Sequence, residues 1–310
     1  MIVEIEKLVK RYQDKLVVDH FDMSVKEGEI LGLLGPNGSG KTTIINCILA
    51  LLSYDKGRIQ VFGESMTPFR YDLKEQIGMV SQEVAIFDEL TVYENIDYFC
   101  SLYMKDKILR KKYVEEALAF VQMENQRKVY PKKLSGGLLR RLNIACGIVH
   151  KPKLIILDEP TVAVDPQSRN HILNGLKKLN REGATIIYTT HYMEEIEQIC
   201  SRVIIMDNGR SLAQGTKDEL KRMIKRGETI RMEILHLEKS HLETLKKFPS
   251  VQSLSYDQSS LTIRCRQGNH NLSSILNYLD DHNLAYGRIL SELPTLNDVF
   301  LEFTGKDLRD

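Results

Sequence analysis

Three things are scarce in this 310-residue chain: surplus charge, long apolar runs and paired cysteines. Lys and Arg number 43 and Asp and Glu 42, leaving a net charge of +1. That balance gives no support for a basic stripe along nucleic acid or a patch for an acidic membrane. No apolar stretch approaches the roughly 20 residues that a membrane-crossing helix needs. The opening Met1-Ile2-Val3-Glu4-Ile5-Glu6 alternates like a strand and lacks the basic start and apolar centre of an export signal. Cys47, Cys100, Cys146, Cys200 and Cys265 are scattered, with no Cys-x-x-Cys pair. They read as small core residues in a reducing compartment, not as a disulfide or zinc framework. These absences predict a soluble cytosolic protein whose membrane role, if it has one, runs through a partner. The length favours two domains over one.

What is present is a phosphate loop. Gly35-Pro36-Asn37-Gly38-Ser39-Gly40-Lys41-Thr42-Thr43 carries two glycines in the required spacing, then Lys and a hydroxyl. The glycines allow a tight turn that aims several N–H groups at one anion. Lys41 adds a mobile charge for the outer phosphates, Thr42 a hydroxyl for Mg²⁺, and Thr43 a bond to a phosphate oxygen. A buried strand, Glu29 to Leu34, is expected before the loop and a helix from Thr43 to Leu49 after it. The first turn of that helix would point its free N–H groups at the phosphates.

Further along, single residues stand at positions suited to the same chemistry. Ile2 to Leu8 and Leu16 to Asp19 read as edge strands joined by a turn holding Tyr12. An aromatic there is suited to stack on adenine, although a turn tyrosine is more often surface packing. Gly57 to Gly63 and Ile77 to Ser81 are expected strands, the second leading into Gln82. A Gln at a strand end can reach Mg²⁺ and an attacking water; alone it is an ordinary exposed amide. From about residue 88 to 149 the spacing turns helical, with Leu90 to Tyr103 and Arg110 to Met123 as helices of an insert. Within it Ser135-Gly136-Gly137 is suited to start a helix through Leu138 to Val149 and to leave a second anion site, or else simply to cap it. Leu154-Ile155-Ile156-Leu157 reads as a strand buried on both faces, ending in Asp158 and Glu159. Asp158 is placed to hold Mg²⁺ through water, and Glu159 to polarise water against a γ-phosphate. Ala184 to Thr190 is a further buried strand, ending at His191, which is suited to donate to a γ-phosphate. Val203 to Met206 and Arg210 to Gln214 form a hairpin about Asn208-Gly209.

In this order the motifs resemble the ATP-binding subunit of an ATP-binding-cassette (ABC) transporter, over roughly residues 1–225. The resemblance assigns Tyr12 to adenine, Gly35 to Thr43 to the Walker A loop and Gln82 to the Q-loop. Leu134-Ser135-Gly136-Gly137 becomes the signature, Asp158 and Glu159 the Walker B pair, Asp165 the D-loop aspartate and His191 the switch histidine. It departs at Leu138, where a polar residue is usual, and at Ala163, where Gly is common. It implies an α/β P-loop ATPase fold: a mostly parallel sheet, antiparallel edge strands and the helical insert at about 88–149. It also implies ATP and Mg²⁺, and a head-to-tail dimer in which Ser135, Gly136, Gly137 and Asp165 of one copy meet ATP held by the other. That dimer would be a homodimer or a pair with a related ATPase. A separate transmembrane permease would hold it at the cytoplasmic face of the membrane, touching the region from Phe87 to Tyr103. No nucleic-acid partner is implied.

From about 226 to 310 the order of expected elements is βαββαβ with a closing helix, a ferredoxin-like α+β unit. The strands are Glu228 to Leu237, Val251 to Tyr256, Leu261 to Arg266 and Ala285 to Ser291; the helices are His241 to Lys247, Asn271 to His282 and Thr295 to Phe303. Pro294-Thr295-Leu296-Asn297-Asp298-Val299-Phe300-Leu301 resembles the tail of the bacterial drug-exporter branch. Such a unit is either a regulatory or dimer-supporting domain or a stabilising appendage. The leading expectation is an ATPase driving export of a drug, lipid, ion or polysaccharide. The alternative is a cassette ATPase with no transporter; a non-hydrolysing regulator conflicts with intact Lys41, Asp158, Glu159 and His191.

Overall fold

The computed structural model describes residues 1–224, 226–266, 268 and 271–305. Its contacts divide into one unit, Met1–Lys217, and a second that begins at Asp218. The expected junction residue 225 and the last five positions, 306–310, lie outside the described residues.

Two sheets build the first unit. The larger has six strands in the order Arg210–Thr216, Arg202–Asp207, Ile30–Leu34, Thr185–Thr190, Leu154–Asp158, Ile77–Val80. All its neighbours pair in parallel except the Arg210–Thr216 edge, which the Asn208-Gly209 turn folds back antiparallel. Every residue of Ile30–Leu34, Leu154–Asp158 and Thr185–Thr190 is buried, as continuous apolar strands in a covered parallel sheet require. The smaller sheet is antiparallel, in the order Lys15–Val25, Val3–Tyr12, Lys56–Val61, Glu64–Ser65. Phe21, Leu31, Leu33, Ile44, Ile156 and Ile187 lie in one core between the sheets and the helix Lys41–Ile48.

The expected insert contains helices Val92–Ser101, Lys107–Phe120 and Gly136–Ile148. Thr91 and Glu94 form a reciprocal capping box on the first, and Asp106 caps the second by accepting from the Ile108 and Leu109 amides. The longest helix, Pro166–Arg181, and the short Met193–Ile199 were not expected.

In the second unit the sheet order is Val251–Asp257, Ser260–Arg266, Arg226–Glu233, Ile289–Glu292, every pair antiparallel. Helices Lys239–Lys246 and Asn271–Asp281 complete the βαββαβ order, and Leu296–Thr304 follows. Two of the unit's strands are shorter than the sequence predicts. The first strand stops at Glu233, four residues before Leu237. The last begins at Ile289, not Ala285. Both corrections meet at one irregularity: the Gly287 amide donates to Glu233 O, and the Glu233 amide donates to Arg288 O. That local exchange replaces regular ladder pairing.

Candidate nucleotide site at the sheet edge

The parallel strands end on one side of the sheet, where ligands of such folds collect. There the turn after Ile30–Leu34 wraps into the phosphate loop. A Cβ on Gly35 would stand 2.5 Å from Met206 O and 2.6 Å from Ser39 Oγ, so only glycine fits. Gly40 has φ +103 and caps the helix Lys41–Ile48 without any side-chain bond, leaving the helix N–H groups directed out of the loop.

Lys41 is 5% exposed; its Nζ donates to Gly35 O at 2.8 Å and Pro36 O at 3.2 Å and lies 3.5 Å from Glu159 Oε1. Burial holds its ammonium below the usual lysine value, against the opposing pull of Glu159 and Asp158. Thr42 Oγ1 donates to Asp158 Oδ2 at 2.7 Å, and Thr189 Oγ1 donates to Asp158 Oδ1. Glu159 is 6% exposed and has φ +48, a left-handed conformation that a non-glycine residue adopts at a cost. Its amide donates to Thr189 O and to Thr189 Oγ1, fixing that turn. Gln82 Nε2 donates to Glu159 Oε2 at 3.3 Å, and His191 Nδ1 stands 3.6 Å from the same oxygen. One carboxylate therefore gathers a lysine, a glutamine and a histidine from three other segments. Ser39 Oγ and His191 Nδ1 are buried with no hydrogen-bond partner among the described residues.

The cleft beside these groups measures about 430 Å³ and is lined in part by Asn37, Lys41, Thr42, Gln82 and Glu159. Its other wall is Lys15, Leu16 and Val17. Tyr12, expected at the adenine, does not line it; the ring is 47% exposed at the end of Val3–Tyr12, with Lys10 Nζ 5.3 Å from its centroid. A larger cleft of about 710 Å³ between Phe120 and Gly175 holds none of the expected site residues.

Ser135, Gly136, Gly137 and Asp165 do not line the 430 Å³ cleft either. Ser135 Oγ accepts from the Leu138 amide at 3.4 Å and starts Gly136–Ile148. Asp165 caps Pro166–Arg181 by accepting from the Ser168 amide, which holds its carboxyl below the usual range. The two starts are neighbours: a Cβ on Gly137 would meet Ala163 O at 3.0 Å.

Residues outside the sequence expectations hold this edge together. Arg140 donates to Gln82 O and Ser81 O, and burial lowers its guanidinium pKa. Asn143 donates to Ser81 O and accepts from the Ala85 amide. Both sit on one face of the helix that Ser135 caps, so that helix grips the backbone on either side of Gln82. Polar residues three apart inside an apolar helix were the available signal.

Comparison with known proteins agrees with this geometry. A family model described as ABC transporter matches residues 18–162. One described as ATP-binding protein DrrA1-3-like, C-terminal domain, matches residues 215–304. The chain is 36% identical over its whole length to the whole of the linearmycin resistance ATP-binding protein LnrL of Bacillus subtilis (strain 168). It is 30% identical to the daunorubicin resistance ATP-binding protein DrrA3 of Streptomyces coeruleorubidus, across 99% of this chain and 97% of that one. Among solved structures, the dimeric post-hydrolysis state of the ATP-binding cassette MJ0796 bound to ADP and Pi aligns with a TM-score of 0.65 and 26% identity, covering 69% of this chain and 98% of that one. With the phosphate loop, the carboxylates at the sheet edge and the second α+β unit all in place, the chain belongs to the ATP-binding subunits of ABC transporters, on their drug-exporter branch, and is an ATP hydrolase.

Proposed function

We propose that this subunit hydrolyses ATP at a head-to-tail dimer interface and thereby drives a separate membrane permease that exports its substrate. The observation that carries the reading is a division. Lys41, Thr42, Gln82 and Glu159 line one cleft, with Asp158 bonded to Thr42 and His191 3.6 Å from Glu159, while Ser135, Gly136, Gly137 and Asp165 neither line it nor bond to these groups. A second copy would supply the Ser135 corner to the far side of the triphosphate, with Asp165 beside it. ATP would then bind the closed pair better than the open one, and that difference in affinity shifts the equilibrium.

In the reaction, Lys41 turns from the loop carbonyls to the outer phosphates. Glu159 accepts a proton from a water as its oxygen attacks the γ-phosphorus; the bond to the bridging oxygen breaks and ADP leaves with it. Gln82 holds that water, and His191 donates to the γ-phosphate. Tyr12 and the neighbouring wall of Lys15 to Val17 receive the base. Thr42, Asp158 and Gln82 form an all-oxygen donor set that suits a hard divalent ion such as Mg²⁺. That ion would neutralise charge on the phosphates.

The permease would touch the segment following Gln82. Phe87, Tyr98, Leu102 and Tyr103 are exposed there, and the Phe87 and Tyr98 rings pack edge-on at 4.9 Å. No helix among the described residues is long and apolar enough to cross a membrane, so attachment at the cytoplasmic face would run through the permease. The permease, not this chain, would choose among drug, lipid, ion and polysaccharide. Residues 1–225 would serve as the motor and 226–310 as a regulatory or dimer-supporting unit.

Glu159→Gln tests the composite site. Supplied with ATP, the variant is expected to elute as a dimer on size exclusion and to hydrolyse ATP at a small fraction of the wild-type rate. ATP-loaded Glu159→Gln that remains monomeric would overturn the reading.

A further inference from the structure

A second buried carboxylate lies behind the reacting groups. Glu195 is 1% exposed on the helix Met193–Ile199. Thr161 Oγ1 donates to its Oε1; Tyr188 OH and Thr190 Oγ1 donate to its Oε2, each at 2.8 Å. Arg169 Nε stands 3.5 Å from Oε1. Four segments thus meet at one side chain: the turn after Glu159, the strand end before His191, the helix capped by Asp165, and its own helix.

Each contact leads back to the reaction. Thr190 Oγ1, while donating to Glu195, accepts from the Tyr192 amide at 2.9 Å and so fixes the turn that presents His191. Thr161 lies two residues after Glu159, in the turn where Glu159 has φ +48. Arg169 also stacks on Tyr192, 4.7 Å from its ring centroid, and that ring lies 4.2 Å from the His191 ring. Arg169 therefore sits between the Glu195 carboxylate, at ion-pair distance without a hydrogen bond, and the aromatic that backs the histidine.

We propose that Glu195 is a positioning residue that sets His191 against Glu159 and, through Arg169, ties both to the helix that begins at Asp165. The inference rests on the roles proposed above for Glu159 and His191. A carboxylate suits the task because it accepts from three hydroxyls at once. Glutamine keeps the volume but offers one acceptor oxygen, so at least one hydroxyl must turn away.

The test is steady-state ATPase kinetics of the full chain as wild type, E195Q, H191A and E195Q/H191A, with nucleotide affinity from titration of a fluorescent ATP analogue. E195Q is expected to lower kcat by about 10- to 100-fold, the scale of a small misplacement of reacting groups. KM and nucleotide affinity should stay within about two-fold, since the lost interaction is felt in the transition state. Added to H191A, E195Q should cost far less than it does alone, because most of its effect runs through that histidine. An unchanged kcat overturns the proposal. So does a raised KM at constant kcat, or an equal loss in both backgrounds, which marks a merely structural residue. Should E195Q fail to fold, T190V and T190S replace it: T190S keeps the hydroxyl and the rate, T190V loses both, and equal rates for the two overturn the clamp. E159Q serves as the control: if it hydrolyses ATP at the wild-type rate, the parent reading falls, whereas an inactive E159Q beside a fully active E195Q removes only the clamp.

Discussion

The histidine at the far end of the signature helix gives a quantitative test of how the insert is fastened to the sheet. His150 Nε2 lies 3.2 Å from Ile77 O, at the start of the strand that leads to Gln82, and its ring stacks on Tyr103 at 3.9 Å between centroids. Burial pushes the imidazole down to about 4, with the Ile77 bond opposing. The unfolded chain takes up the proton below about 6.5, while the folded chain stays neutral to about pH 4. Protons then favour the unfolded state, so the stability that His150 contributes falls as pH drops from about 6.5 to about 4, and that contribution is flat on either side. Each pH unit within that window costs about 1.4 kcal/mol, or about 2 kcal/mol by pH 5. His150→Phe keeps a ring against Tyr103 but cannot titrate. It loses the bond to Ile77 O, worth about 1 kcal/mol at any pH. The variant should therefore be the less stable protein at pH 7.5 and the more stable at pH 5. Urea unfolding followed by circular dichroism at both pH values reads this crossing, and proton NMR of the folded protein reads the imidazole directly. A ring that titrates near its ordinary value, or a stability gap that ignores pH, would refute the reasoning.

Lys41→Ala removes two bonds to the loop carbonyls and one of the three partners of the Glu159 carboxylate. Hydrolysis should fall by about 100-fold or more in a phosphate-release assay, since the outer phosphates lose their fixed charge. Asn95 is fully buried and bonds the Phe87 amide together with the carbonyls of Phe87, Leu90 and Thr91. Asn95→Ala should cost about 2–3 kcal/mol in urea unfolding by leaving those groups unpaired. It should also raise hydrogen exchange at the amides of residues 87–91.

The parts most legible in the sequence were those that a single local pattern dictates. Leu154 to Leu157 is apolar without a break, which a strand covered on both faces requires, so Asp158 had to arrive at its end. The same logic placed Thr190 and His191. Glu195 was hidden for the opposite reason. It sits in Met193-Glu194-Glu195-Ile196-Glu197, where three glutamates read as a solvated face. Only the helical phase singles it out, because Glu195, Ile196 and Ile199 share the buried side. The helix Pro166–Arg181 carried its own start signals: Asp165 as cap, Pro166 in the first turn, then buried Ile172, Leu173 and Leu176. Tyr12 marks where local pattern stops being enough. Sequence position put an aromatic upstream of the phosphate loop, but where it stands relative to the cleft depends on the bulged pairing of two strands, whose register shifts between Leu8, Lys10 and Arg11.

The two departures from the family pattern carry different physical weight. Leu138 replaces a polar residue, yet the cap at Ser135 uses the Leu138 backbone amide, which any residue but proline supplies. The substitution therefore spares the helix start and changes only what the side chain offers to whatever faces it. Ala163 is another matter. Its φ is +62, the left-handed conformation that glycine adopts freely and that an L-residue adopts at a cost of about 1–2 kcal/mol. Its carbonyl also marks the closest approach to Gly137, 3.0 Å from where a Cβ there would stand. A methyl group at residue 163 thus strains the one turn that joins the Glu159 segment to the helix start at Asp165. The strain has a counterweight in the bonds on either side of it: the Thr161 hydroxyl on Glu195, the Val164 amide on Thr161 O, and the Asp165 cap on Ser168. In this chain, then, the turn is held by side-chain anchoring where a glycine would have left it unstrained.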